Sequence, residues 1–131
     1  MSNIEFINPP TIAPATGYTH VAVVTSGRLV FIAGQVSIAP DGTFVGEDDP
    51  QAQAEQVFRN LHSALEAAGG DFSHVVKLTF YFTDVGHLPI YREVRDRFIN
   101  VAQPPASTAV EVRSLFRPEC LIEVEAVAAI P

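Results

Sequence analysis

With only one cysteine, Cys120, in 131 residues, an internal disulfide framework is ruled out and a reducing, cytoplasmic compartment is the expectation. Basic residues are also scarce: 8 Lys and Arg stand against 15 Asp and Glu, a net charge of −7. That balance disfavours nucleic-acid binding, which draws most of its affinity from Lys and Arg at phosphates. No apolar run approaches the length that spans a bilayer, so no membrane association is expected. The start, Met1-Ser2-Asn3-Ile4-Glu5, has no basic region followed by an apolar stretch, and no secretory signal is expected there. His20, His62, His74 and His87 are scattered, with no pair at metal-ligand spacing, so no metal site is expected. A Gly-rich phosphate loop, a GxSxG motif and an internal repeat are all missing.

What is present describes an ordinary globular chain. Hydrophobic residues make up 47% and charged residues 18%, enough for one domain, residues 1–131, around one core. Residues 1–17 are rich in Pro, Asn and Thr and read as extended chain. Val21, Val23 and Val24 lead to a turn at Thr25-Ser26-Gly27-Arg28, and Leu29–Ala33 is an apolar run short enough for a buried strand. Gly34 interrupts it and predicts a bulge or a close backbone approach. Pro40-Asp41-Gly42-Thr43 marks a hairpin-type turn.

A helix follows. Asp48 or Asp49 can cap it, Pro50 suits its first position, and Gly69-Gly70 stops it. Ala54, Val57, Phe58, Leu61, Leu65 and Ala68 form its apolar stripe, with Gln53, Glu55, Arg59, Asn60 and Glu66 mostly off it. The next strand alternates, with Val76, Leu78, Phe80 and Phe82 on one face and Lys77, Thr79, Tyr81 and Thr83 on the other. A second helix is predicted to start between Asp84 and His87 and to end at Pro104-Pro105. Leu88, Tyr91, Val94 and Phe98 mark its inner face, with Arg95 there only as a stem.

Two strands close the chain. In the first, Thr108, Val110 and Val112 are expected inward, with Ser107, Ala109, Glu111 and Arg113 opposite. In the second, Ile122, Val124, Ala126, Ala128 and Ile130 share a face. The predicted order is β-β-α-β-α-β-β, an α+β class with two helices on one face of a sheet. The other face carries carboxylates mixed with Val127 and Ala129, which predicts an oligomer packed there and a ligand cleft between subunits.

Several residues have side chains suited to chemistry. Glu123 and Glu125 are two apart on one strand, so their carboxyls share a face, about 7 Å apart at the backbone. Such a pair can divide acid and base roles, or it can be an interface salt-bridge set with Arg113 or Lys77. Ser107 and Thr108 can donate to a ligand or serve turn chemistry after Pro105. Tyr18 can be a phenolic donor over a pocket or an aromatic packed at a strand entrance. Cys120 reads as an inert thiol, and the histidines as surface or structural groups.

An ordered set of segments from Tyr18 to the C-terminus is similar to the Rid family (RidA/YjgF, reactive intermediate deaminases, with the older label endoribonuclease L-PSP). The set comprises Tyr18-Thr19-His20, Phe31–Val36, Leu65–Gly70, Val76–Phe80, Tyr91–Val94, Pro104–Thr108 and Ile122–Ala128. The resemblance implies a chorismate-mutase-like fold and a homotrimer with three intersubunit clefts. It also implies cofactor-free hydrolysis of 2-imino or 2-enamino acids to 2-keto acids and ammonia. In that family an arginine on the first C-terminal strand grips the substrate carboxylate, and a glutamate holds the attacking water.

Carried onto this chain, the resemblance gives Tyr18 as the pocket tyrosine, Gly34 as the cleft glycine and Glu123 as the water-holding residue. Ala33 stands where the deaminases often have serine, Ala109 where many have cysteine, and Leu88 near a frequent asparagine. Ser107 stands in place of the arginine. Losing a charge-assisted bond of that kind costs roughly 10- to 100-fold in binding, so the specificity is expected to be altered unless Arg113, Arg117 or an arginine of another chain takes over. The implied substrate-binding set is Tyr18, Ala33, Gly34, Ser107, Thr108 and Ala109. The competing expectation is a non-catalytic metabolite-binding trimer. The family's older label also suggests an endoribonuclease, which the net charge of −7 disfavours.

Overall fold

The computed structural model describes residues 2–131. Its elements are β1 (Ile4–Ile7), β2 (Val21–Val24), β3 (Arg28–Gln35), α1 (Pro50–Ala67), β4 (Val75–Phe82), α2 (Leu88–Asp96), β5 (Ala106–Glu111) and β6 (Ile122–Ile130). Four strands form a mixed sheet in the order β3-β6-β4-β5. Only β4 and β5 run parallel, because α2 carries the chain back across the sheet between them. Both helices pack on one face, giving the expected α+β architecture.

The extended N-terminal segment contributes a strand that the sequence pattern does not announce. β1 pairs antiparallel with β2 as a separate two-stranded sheet. It lies over one end of the open face, where Ile4, Val76 and Ala129 form a small core with Phe6, Ala22 and Val127. Asn3 Nδ2 donates to the carbonyl oxygens of Ala129 (3.0 Å) and Ser26 (3.1 Å) and fixes it there. Val127 and Ala129 are therefore covered by the chain's own N-terminus. The most exposed apolar surface left on this face belongs to β3, where Leu29 is 57% and Phe31 75% exposed. The run Leu29–Ala33 is thus only partly a buried strand, with Ile32 its one buried member.

α1 forms where its punctuation says it should. Asp49 caps it by accepting from Ala52 N (3.1 Å), Pro50 follows, and Gly69 leaves the helix at a φ of 88° that other residues resist. Val57, Phe58, Leu61 and Leu65 are fully buried. The Phe58 ring lies 5.3–6.0 Å from those of Phe72, Phe80 and Phe98, at the centre of the main core. Gln53 departs from its expected place off the stripe and is fully buried. A 3₁₀ turn, Val85–His87, capped by Asp84, precedes α2. α2 ends at Asp96 rather than at Pro104-Pro105, because the hydrogen bonds shift there to three-residue closure at Arg97 and Phe98.

Two face assignments change. Val76 is an extra residue at a bulge: Val75 pairs with Ala128 and Lys77 with Val127. Val75 consequently enters the main core and Val76 the small one. In β5 the alternation is reversed. Register with β4 places Ser107 and Ala109 beside Leu78 and Phe80 on the helix face, and Thr108 and Val110 beside Thr79 and Tyr81 on the open face. The small side chains that face inward here leave space between β5 and Tyr91 and Leu88 of α2, while Val110 is left 40% exposed. Glu111, expected on the carboxylate face, instead accepts from Val85 N (2.8 Å) in the 3₁₀ turn that precedes α2. Among the described residues no helix is long and apolar enough to cross a membrane.

Candidate functional site

The reversed register of β5 creates a cavity between the sheet and α2, with a volume of about 240 Å³. Its floor is Phe80, Ser107 and Ala109. Its wall is Leu88, Tyr91, Arg92 and Arg95, which recur at three- and four-residue spacing and so share one side of α2. Thr16 and Tyr18, from the segment between β1 and β2, close the mouth.

That segment is held by groups that proline leaves available. Thr19 N donates to Pro105 O (3.1 Å) and Thr19 Oγ1 to Pro104 O (2.6 Å). The His20 ring stands edge-on to Tyr18 at 5.2 Å and is tied to Ala13 O at 2.7 Å. The two prolines thus both launch β5 and fasten Tyr18 beside it.

The cavity's donors differ in how they are engaged. Arg95 is buried, with Nε and Nη2 both donating to Asp96 Oδ1 at 2.9 Å, so a neighbouring carboxylate offsets its charge. Arg92 is exposed and makes no ion pair or side-chain hydrogen bond among the described residues. Tyr91 is fully buried, and burial pushes its phenol far above the usual range, so it stays neutral.

Glu123 lies on the opposite, open face of the sheet. It is half-buried, pairs across the ladder with Tyr81, and rests against Gly34 in the irregular step between Ile32 and Gln35. A methyl group on Gly34 would come 2.8 Å from Glu123 Cδ, so glycine is what lets the carboxylate lie there. Ala33 is beside it in the same step.

Glu125, one pleat along, is already engaged. Tyr81 OH donates to its Oε1 at 2.6 Å, and this bond, with the carboxylate charge, raises the Tyr81 phenol. Thr108 is also on the open face, where Lys77 Nζ donates to its Oγ1 (2.6 Å). Neither Glu123 nor Glu125 pairs with Arg113 or Lys77 among the described residues.

Within one chain, then, Tyr18, Ser107 and Ala109 meet in one cavity. Ala33, Gly34, Thr108 and Glu123 belong to the other face. Arg92, Arg95 and Thr16 were not singled out from sequence as cavity residues. The spacing Leu88, Arg92 and Tyr91, Arg95, each four apart, carried the signal for the two arginines.

Cys120 is buried, and burial pushes its thiol up. A disulfide reagent at pH 8 is expected to label it far more slowly in the native protein than in denaturant. Equal rates would show an accessible, reactive thiol. No cluster of three or more metal-ligating residues occurs among the described residues.

A family model described as Endoribonuclease L-PSP matches residues 9–130. Protein DfrA of Myxococcus xanthus is 38% identical, over 92% of this chain and 88% of its own length. A mouse protein named 2-iminobutanoate/2-iminopropanoate deaminase is 31% identical, over 97% of this chain and 93% of its own. The solved structure of YyfB from Yersinia pestis, described as a Rid-family protein of unknown function, superposes with a TM-score of 0.92. It is 36% identical and covers 98% of this chain and 100% of its own.

Proposed function

The chain belongs to the endoribonuclease L-PSP family, the Rid/YjgF proteins, and from that premise we propose that it is a homotrimer whose intersubunit clefts hydrolyse an imine, an enamine or a related small metabolite. The observation that carries this reading is the split site. Ser107 and Tyr18 open on one face of the sheet and Glu123 on the other, so no single chain can bring them to one substrate. A neighbouring subunit laid against the open face can. Exposed Leu29 and Phe31 supply apolar surface for that contact.

In the assembled cleft a water held by Glu123 adds to the C=N carbon as the carboxylate accepts its proton. Return of that proton to nitrogen gives a carbinolamine; its hydroxyl proton then passes to nitrogen as the C=O bond forms and the C–N bond breaks, which leaves a carbonyl compound and ammonia. The reaction consumes only water. Ser107 is a neutral hydroxyl where the family resemblance implies an arginine, and an altered specificity is expected from it. The same substitution favours a second reading, a trimer that binds a metabolite without turnover. An endoribonuclease role fits poorly with a net charge of −7.

Mixed subunits test the reading. Light scattering is expected to give about three times the 14.2 kDa chain mass. Tyr18→Ala and Glu123→Ala are each expected to lose release of ammonia from a panel of imines and enamines. Unfolding and refolding the two together should restore roughly a quarter of wild-type activity, the share of clefts that draw both intact halves at random. A monomer, or no recovery on mixing, counts against the shared cleft. Ligand-induced thermal stabilisation without any product would favour the binding trimer.

A further inference from the structure

We propose that Arg92, on α2, is the residue that holds a ligand's carboxylate in the cavity beneath α2, in place of the strand arginine at whose position Ser107 stands. The inference rests on the proposed function for the reaction, but not for the binding. Its first support is electrostatic. In a chain of net charge −7, the side chains lining this cavity include two arginines and no carboxylate. Arg95 is committed to Asp96, which leaves Arg92 as the cation with nothing opposite it.

The second support is an inventory of donors. Arg92, Ser107 Oγ, Tyr18 OH and Thr16 Oγ1 all border the cavity, and none has a side-chain hydrogen-bond partner among the described residues. Four donor side chains around about 240 Å³ call for an acceptor-rich guest of metabolite size. A carboxylate answers with two planar oxygens, which match the guanidinium fork of Arg92. Ser107 then donates from the sheet side and Tyr18 from the mouth.

The anchor stands on the helix wall, one turn after Leu88, and not on β5. Acids are therefore selected by how far their carboxylate reaches toward α2 from the carbon that Glu123's water would attack. Arg95 leaves room for the mouth segment only at a glycine: a methyl group on Gly17 would come 2.9 Å from Arg95 Nη2.

Calorimetric titration with 2-oxobutanoate, its neutral amide and inorganic phosphate tests this. Arg92→Ala is expected to weaken 2-oxobutanoate binding by roughly 10- to 100-fold, and Arg92→Lys by less. The amide is expected to bind weakly to wild type and variants alike, and phosphate not to compete.

Several outcomes overturn the proposal. These are no carboxylate binding to wild type, equal binding to wild type and Arg92→Ala, phosphate competing as well as the carboxylate, or Arg92→Ala changing the assembled mass, which would make Arg92 an interface ion pair. Wild type that binds carboxylate through Arg92 without hydrolysing imines sinks the hydrolase reading and leaves the anchor standing. Turnover unaffected in Arg92→Ala does the reverse.

Discussion

Glu123→Gln is expected to lower turnover by about 10²- to 10⁴-fold, the range that a positioned general base contributes, with the assembled mass unchanged. The amide keeps the shape and volume of the side chain, so it still rests on Gly34, but it cannot take a proton from water. Gly34→Ala approaches the same defect from the other side. Its added methyl would sit 2.8 Å from Glu123 Cδ, so the carboxylate must swing away. Misplacement of that kind also lowers turnover, by up to about 100-fold. Glu125→Gln is the internal control. Its Oε1 already accepts from Tyr81, and an amide oxygen can do the same, so only a few-fold change is expected. If Glu123→Gln kept more than about a third of wild-type turnover while Glu125→Gln lost it, the roles of the two carboxylates would be exchanged.

The sequence made the main elements legible because local chemistry fixed them. Asp49, Pro50 and Gly69 delimited α1, and Gly34 marked the interruption of β3. Alternation failed where a face was lined by small residues. Ser107 and Ala109 read as facing away from the helices, opposite Val110, yet they form the floor of a cavity whose wall, Tyr91 and Leu88 of α2, comes some twenty residues earlier in the chain. The bulge at Val76 inverted one position of an otherwise clean pattern, and nothing local announces it, since it depends on register with β6. β1 escaped notice because a four-residue strand at a terminus carries too short a pattern.

The candidate site divides in the same way. Glu123 and Tyr18 were singled out by strand alternation and side-chain chemistry, and the family resemblance supplied the roles expected of them. Arg92 escaped it because the resemblance directs attention to the strand position, Ser107, and not to the helix wall.

Gln53→Ala is expected to destabilise the fold by roughly 3–5 kcal/mol, more than any other single polar-to-alanine change on α1. The side chain is fully buried and makes three bonds to backbone that no regular element satisfies. Its Nε2 donates to Gly46 O at 2.9 Å and to Glu119 O at 3.0 Å, and its Oε1 accepts from Leu121 N at 2.9 Å. Alanine leaves Glu119 O and Leu121 N without partners, at about 1–3 kcal/mol each, and empties the side chain's space, while Gly46 O keeps its bond from Asp49 N at 2.9 Å; entering water recovers part of the total.

The neighbouring Gln56 bonds Asn60 at 2.8 Å, and Gln56→Ala is expected to cost only about 1 kcal/mol. Urea midpoints at one fixed subunit concentration make the comparison, since assembly shifts apparent stability. The position of Gln53 couples stability to the site. Two of its three bonds hold Glu119 and Leu121 in the segment that leads into β6, only two residues before Glu123. Turnover measured well below the unfolding midpoint should therefore fall in Gln53→Ala but not in Gln56→Ala. Equal midpoints for the two variants would mean that the segment before β6 is held by something other than this glutamine.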